Sequence, residues 1–166
     1  LKFNEPKNYF METASLSEIK KEIKTLTPQQ LQEIILRLAR FKKENKELLG
    51  YLLFDAFNQP TYIQTVKDEI DEQFKNLHRS SAYLTKKTIR KALKNTNKYI
   101  RFSGSKETEI ELLVYLCQQM RKHGHRISYS RTLATLYMNL VKRIKKTLST
   151  LHEDLQLDYE EALKNL

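Results

Sequence analysis

Cysteine, glycine and proline are scarce in this sequence, with one, three and three respectively in 166 residues. The single Cys117 excludes an internal disulfide framework and fits a reducing compartment. So little glycine and proline leaves few places for tight hairpins and argues against a sheet-rich fold. Long apolar runs are missing too. The densest, Leu48 to Phe57, is broken by Asp55 and falls far short of the roughly 18 residues that a membrane span needs. No secretory leader pattern is visible, and the expectation is a cytoplasmic protein with no membrane partner. Acidic residues are absent from two long stretches, 73–106 and 112–152.

What is present favours helix. Leu, Lys, Glu and Gln are abundant, and 40% hydrophobic with 30% charged residues is enough apolar mass for a folded chain. The length suits one domain with one sizeable core. Residues 1–10 are set aside as an extension, disordered or foreign to the domain, and 11–166 are read as a single helical domain. The expected fold is all-α, with seven to eight antiparallel helices packed as an irregular bundle or as stacked hairpins of the HEAT type. Pro28, Pro60, Gly104 and Gly124 interrupt the pattern too often for a continuous coiled coil, and no internal repeat is found.

Local signals place the elements. Ser15 with Glu18, and Thr27 with Pro28 and Gln30, have the spacing of capping boxes, so helices are expected to start there. Asn45 is expected to break or cap the second helix. Leu48–Phe57 reads as a third helix buried on most sides, with Gly50 allowing a close helix approach. Ile63, Val66, Ile70, Phe74 and Leu77 form the inner stripe of a fourth helix whose outer face carries Asp68, Glu69, Asp71 and Glu72. A basic fifth helix follows the loop at 78–81. Phe102 to Lys106 reads as loop, and Ser105 as the cap of a sixth helix with Ile110, Leu113, Val114, Cys117 and Met120 inside. Gly124 stands where a left-handed terminal residue belongs. Ser130 opens a seventh helix with Leu133, Leu136, Tyr137, Leu140, Ile144, Leu148 and Leu151 inward and Arg131, Lys142, Arg143 and Lys146 outward. Asp158 and Glu161 have the spacing of a last capping box.

Charge carries the functional signal. Residues 73–152 hold 18 Lys and Arg against 3 Asp and Glu, whereas both flanking segments are slightly acidic. On a wheel at about 100° per residue, Leu84, Ile89, Ala92, Leu93, Thr96, Tyr99 and Ile100 gather on one side of the fifth helix. Lys86, Lys87, Arg90, Lys91, Lys94, Lys98 and Arg101 gather on the other. Such a stripe is either a solvated face or a surface for a polyanion. The nucleic-acid-binding candidates are Lys87, Arg90, Lys91, Lys94, Lys98, Arg101, Lys142 and Lys146. Arg90 and Arg101 offer planar forks for phosphate, and the lysines add point charge. Tyr99 and Phe102 have the chemistry to stack bases but the phase of core residues.

Other chemistries find less support. Ser103, Gly104, Ser105, Lys106 before a helix lacks the glycine spacing and preceding strand of a phosphate loop, and glutamates follow it directly. Cys117, His123 and His125 do not complete a four-ligand zinc pattern. No nucleophile elbow, zinc-protease or dinucleotide motif occurs. The expectation is a binding module without catalytic residues, metal or cofactor, whose partner is nucleic acid or another polyanion. The alternative is a protein–protein interaction scaffold with no nucleic-acid role.

Overall fold

Short-range hydrogen bonds start the first helices where side-chain spacing puts them. Ser15 donates its backbone N–H to Glu18 at 2.8 Å while its hydroxyl accepts from the Glu18 N–H, and Thr27 and Gln30 repeat the exchange. Each box satisfies two amides that a helix start otherwise leaves orphaned. In the computed structural model, which describes residues 13–75, 77, 81–123, 130–164 and 166, the chain is all-α, with no strand among the described residues. It divides after Glu47 into two compact units. The expectations placed on residues 1–10, on 78–80, and on Gly124 and His125 lie outside the described residues.

The first unit contains α1 (Leu16–Ile23) and α2 (Pro28–Phe41). Both are amphipathic, yet neither has a buried residue. Ile19, Ile23, Ile34, Ile35, Leu38 and Phe41 are all exposed. The break after α2 falls at Lys42, in extended backbone, and not at Asn45. Asn45 instead donates its side-chain amide to the Leu38 carbonyl at 2.9 Å, satisfying one acceptor of the last turn of α2.

The division after Glu47 falls within α3 (Lys43–Gly50), which in the second unit passes into one π-helical turn, Tyr51–Asp55. The expectation of a helix buried on most sides fails here. Tyr51 is buried, but Leu52, Leu53, Phe54 and Phe57 are exposed. Tyr51 alone anchors the turn: its ring lies 4.6 Å from that of Tyr62, and its hydroxyl accepts from Gln59. Gly50 does not serve a close approach either, since a Cβ there would meet nothing within 4 Å. Its backbone is ordinary right-handed helix, φ −56.

Further helices among the described residues of this unit are α4 (Gln59–Lys75), α5 (Ala82–Ser103), α6 (Lys106–Lys122), α7 (Arg131–Leu148) and α8 (Glu153–Lys164). Ser81, Ser105 and Ser130 cap α5, α6 and α7 with their hydroxyls. Phe102 and Ser103, read as loop from sequence, continue α5. Gly104 ends it in the left-handed region at φ 62, so the α5–α6 connection is two residues long. The last helix starts at Glu153, and Asp158 and Glu161 lie inside it instead of capping it. His152 Nδ1 accepts from the Asp154 amide at that start.

The two glycines are therefore expected to respond with opposite sign. Gly104→Ala places a Cβ in a left-handed backbone and costs about 1 kcal/mol. Gly50→Ala, in open space and helical backbone, stabilises by roughly 0.4–1 kcal/mol through a less flexible unfolded chain. Urea midpoints of the two variants check both signs.

Helix α6 is the centre of the unit. It packs against α4, α5 and α7. Leu112 and Leu116, on the side away from its expected stripe, are as fully buried as Leu113 and Cys117. Its buried side chains therefore span more than one face, although Lys106, Glu107, Gln118, Arg121 and Lys122 stay exposed, and its contacts with α4 as well as with its neighbours in sequence make a bundle instead of a row of stacked hairpins.

Cys117 lies at this centre, fully buried, and burial pushes its thiol up from an ordinary 9.0 to about 12. The folded thiol keeps its proton where the unfolded one loses it. Its contribution to stability is therefore complete below pH 9 and is lost as pH rises towards 12, at about 1.4 kcal/mol per pH unit for one proton. Burial also raises Tyr159, to about 12, and adds to the loss. In urea titrations at increasing alkaline pH, Cys117→Ala is expected to shallow this decline by one proton's worth.

Candidate nucleic-acid interface

The α5 cations emerge on one face because the opposite face is sealed into the core. Ile89, Ala92, Thr96 and Ile100 are buried, and the Thr96 hydroxyl satisfies itself on the Ala92 carbonyl at 2.9 Å. Tyr99 and Phe102 belong to the interior and offer no stacking platform. Phe102 is buried edge-on to Tyr99, and the Tyr99 hydroxyl donates to Glu69.

Helices α4 and α5 are antiparallel neighbours, as the sequence suggests, since Tyr62 reaches Tyr99 and Glu69 reaches Asn95. The acidic face of α4 nonetheless spends its carboxylates elsewhere. Glu69 accepts from Asn95 and Tyr99, Asp71 from the Tyr115 hydroxyl, Asp68 from Gln64, and Glu72 from Lys75. Among the described residues no carboxylate pairs with Lys87, Arg90, Lys91 or Lys94, all of which are exposed.

Across α5 lies α7. Lys86 Nζ reaches the Thr132 hydroxyl at 3.5 Å and Asn97 Oδ1 accepts from Arg143 Nη1 at 2.7 Å, each pair 46 residues apart. Equal offsets mean that the two helices run parallel. Between them is a groove of about 620 Å³ lined by Arg90, Leu93, Lys94, Asn97, Arg101 and Arg143.

Arg143 is the residue whose placement the sequence reading missed. Read as outward-facing, it turns into the groove half-buried, where its Nε donates to Glu109 of α6 at 2.6 Å and its Nη1 to Asn97. Two bonds from one guanidinium fix its plane, so little side-chain entropy remains to be lost on binding an anion. Glu109, which also accepts from the Thr147 hydroxyl at 3.4 Å, offsets one of the four cationic charges. Wheel phase hints at this, because residue 143 lies at the edge of the α7 core stripe. Only the approach of Glu109 from a third helix makes the inward direction favourable.

The remaining candidates are dispersed. Lys87 and Lys91 are exposed on α5 outside the groove lining. Lys98 lies over the rings of Tyr99, at 4.7 Å, and Phe102, at 6.0 Å. Lys142 and Lys146 are exposed on α7 and do not line the groove.

Elsewhere the local chemistry is self-satisfied. At the start of α6, Ser105 accepts from the Thr108 amide and Ser103 from the Ser105 amide, so side chains already occupy donors that a phosphate would need. His123 caps α6 with its ring 5.7 Å from that of Phe74. Among the described residues no three metal-ligating side chains cluster, and no helix is long and apolar enough to cross a membrane. No protein-family model, curated protein or solved structure matches the chain.

Proposed function

We propose that the second unit binds nucleic acid through its phosphates, in the groove between α5 and α7. The observation that carries this reading is that Arg90 and Lys94 line a cationic groove and keep no carboxylate partner among the described residues, although an acidic helix lies directly beside α5. Arg90 and Arg101 present forks that match two phosphate oxygens, Lys94 supplies a point charge, and Arg143 is held ready on the α7 side. Lys87, Lys91, Lys98, Lys142 and Lys146 extend the positive field that draws a polyanion in. In this reading affinity rests on the phosphate backbone.

Three phosphates neutralised by Arg90, Lys94 and Arg101 give a slope of about −2 to −3 in log affinity against log salt. Between about 50 and about 200 mM salt, affinity for a labelled oligonucleotide is then expected to fall roughly 20- to 40-fold. Fluorescence anisotropy measures it. Binding that holds undiminished across that range contradicts the reading.

A protein-interaction scaffold is the second reading, and one observation favours it: the exposed apolar stripes of α1 and α2. Purification separates the two. Nucleic acid that accompanies the protein and leaves in high salt supports the groove. A stoichiometric protein partner that survives nuclease treatment, with no nucleic acid bound, supports the scaffold.

A further inference from the structure

With Tyr99 and Phe102 committed to the interior, α5 turns one other aromatic outward. Tyr83, in the first turn of α5, is 73% exposed. No described residue engages its ring or hydroxyl. It precedes Arg90, Lys94 and Arg101 by 7, 11 and 18 residues. At 100° per residue these four fall within an arc of roughly 40°, with Tyr83 about 10 Å along the axis from Arg90. Between them along the axis Lys86 Nζ reaches across to the Thr132 hydroxyl of α7 at 3.5 Å. A strand that follows Arg101, Lys94 and Arg90 along this face of α5 reaches Tyr83 next.

We propose that Tyr83 stacks an unpaired base at the Arg90 end of the groove, which makes single-stranded nucleic acid the preferred ligand. This rests on the groove reading given above. The chemistry is that of strand-binding surfaces in general, in which cations follow the phosphates and an aromatic face takes a base of any identity. A duplex keeps its bases stacked on each other and presents none to Tyr83 without unpairing. An exposed tyrosine is also suited to the task by its rigidity, since few rotamers are lost on contact.

The test compares a single-stranded oligonucleotide carrying 2-aminopurine with the duplex of the same sequence, against the wild type, Tyr83→Ala, Tyr83→Phe, and the double variant Arg90→Glu with Lys94→Glu. The wild type is expected to prefer the single strand and to quench 2-aminopurine. Tyr83→Ala is expected to lose roughly 5- to 150-fold in single-strand affinity and to lose the quenching, with its salt slope and duplex affinity unchanged. Tyr83→Phe, which keeps the ring, is expected to retain both. If the charge-reversed variant loses affinity but Tyr83→Ala binds the single strand as the wild type does, stacking is overturned and the groove stands. A wild type that prefers the duplex overturns stacking as well. If the charge-reversed variant binds normally, the groove reading itself falls.

Discussion

Reversing two charges in the groove, Arg90→Glu with Lys94→Glu, lowers affinity for an oligonucleotide by about 100-fold at moderate salt and flattens its salt dependence by about two units of slope. Both side chains are exposed, neither pairs with a described carboxylate, and neither contributes to the buried stripe of Ile89, Ala92, Thr96 and Ile100. The fold is therefore expected to survive, with unchanged circular dichroism and an unchanged urea midpoint. The same reversal at Lys142 and Lys146, outside the groove lining, is expected to weaken binding far less, because at physiological salt a charge beyond about 8 Å is largely screened. Equal losses from the two pairs would point to a diffuse basic surface in place of a groove.

The second large effect concerns stability. Leu113→Ala, in the middle of α6, is expected to cost roughly 2–5 kcal/mol, and Leu38→Ala, in α2, no more than about 0.5 kcal/mol. Both are leucines on the apolar side of an amphipathic helix, and sequence pattern does not distinguish them. Burial does: Leu113 is fully buried among α4, α5 and α7, so its removal leaves a cavity lined from several sides, whereas Leu38 is 55% exposed. Urea denaturation measures the difference as a shift in midpoint at constant slope. Comparable losses at the two positions would contradict the central place of α6.

Groups close together in the chain could be read directly. The capping boxes at Ser15 and Thr27, the caps at Ser81, Ser105 and Ser130, and the inner stripe of α4 all depend on residues within a few positions of one another. Their energies are set before any distant segment arrives. The outward stripe of α5 belongs with them, because a helix with an apolar face must put its lysines opposite.

Sequence by itself determined an all-α chain, most of its helix starts, and one acid-free cationic helix, since propensity, capping and periodicity act over one or two turns. Only the packing of distant segments decided that α6 buries Leu112 and Leu116 as well as its expected stripe, that Leu52 to Phe54 face outward while Tyr51 anchors the π turn, and that Arg143 turns inward to Glu109 and Asn97. It also decided that the α4 carboxylates spend themselves on Asn95, Tyr99 and Tyr115 and leave Arg90 and Lys94 without a carboxylate partner among the described residues. Each of these outcomes joins residues 26 to 46 positions apart or depends on which side of a helix another helix covers. The choice between a paired and an unpaired charge depends on that packing, because an ion pair forms only where the fold brings the two side chains within reach.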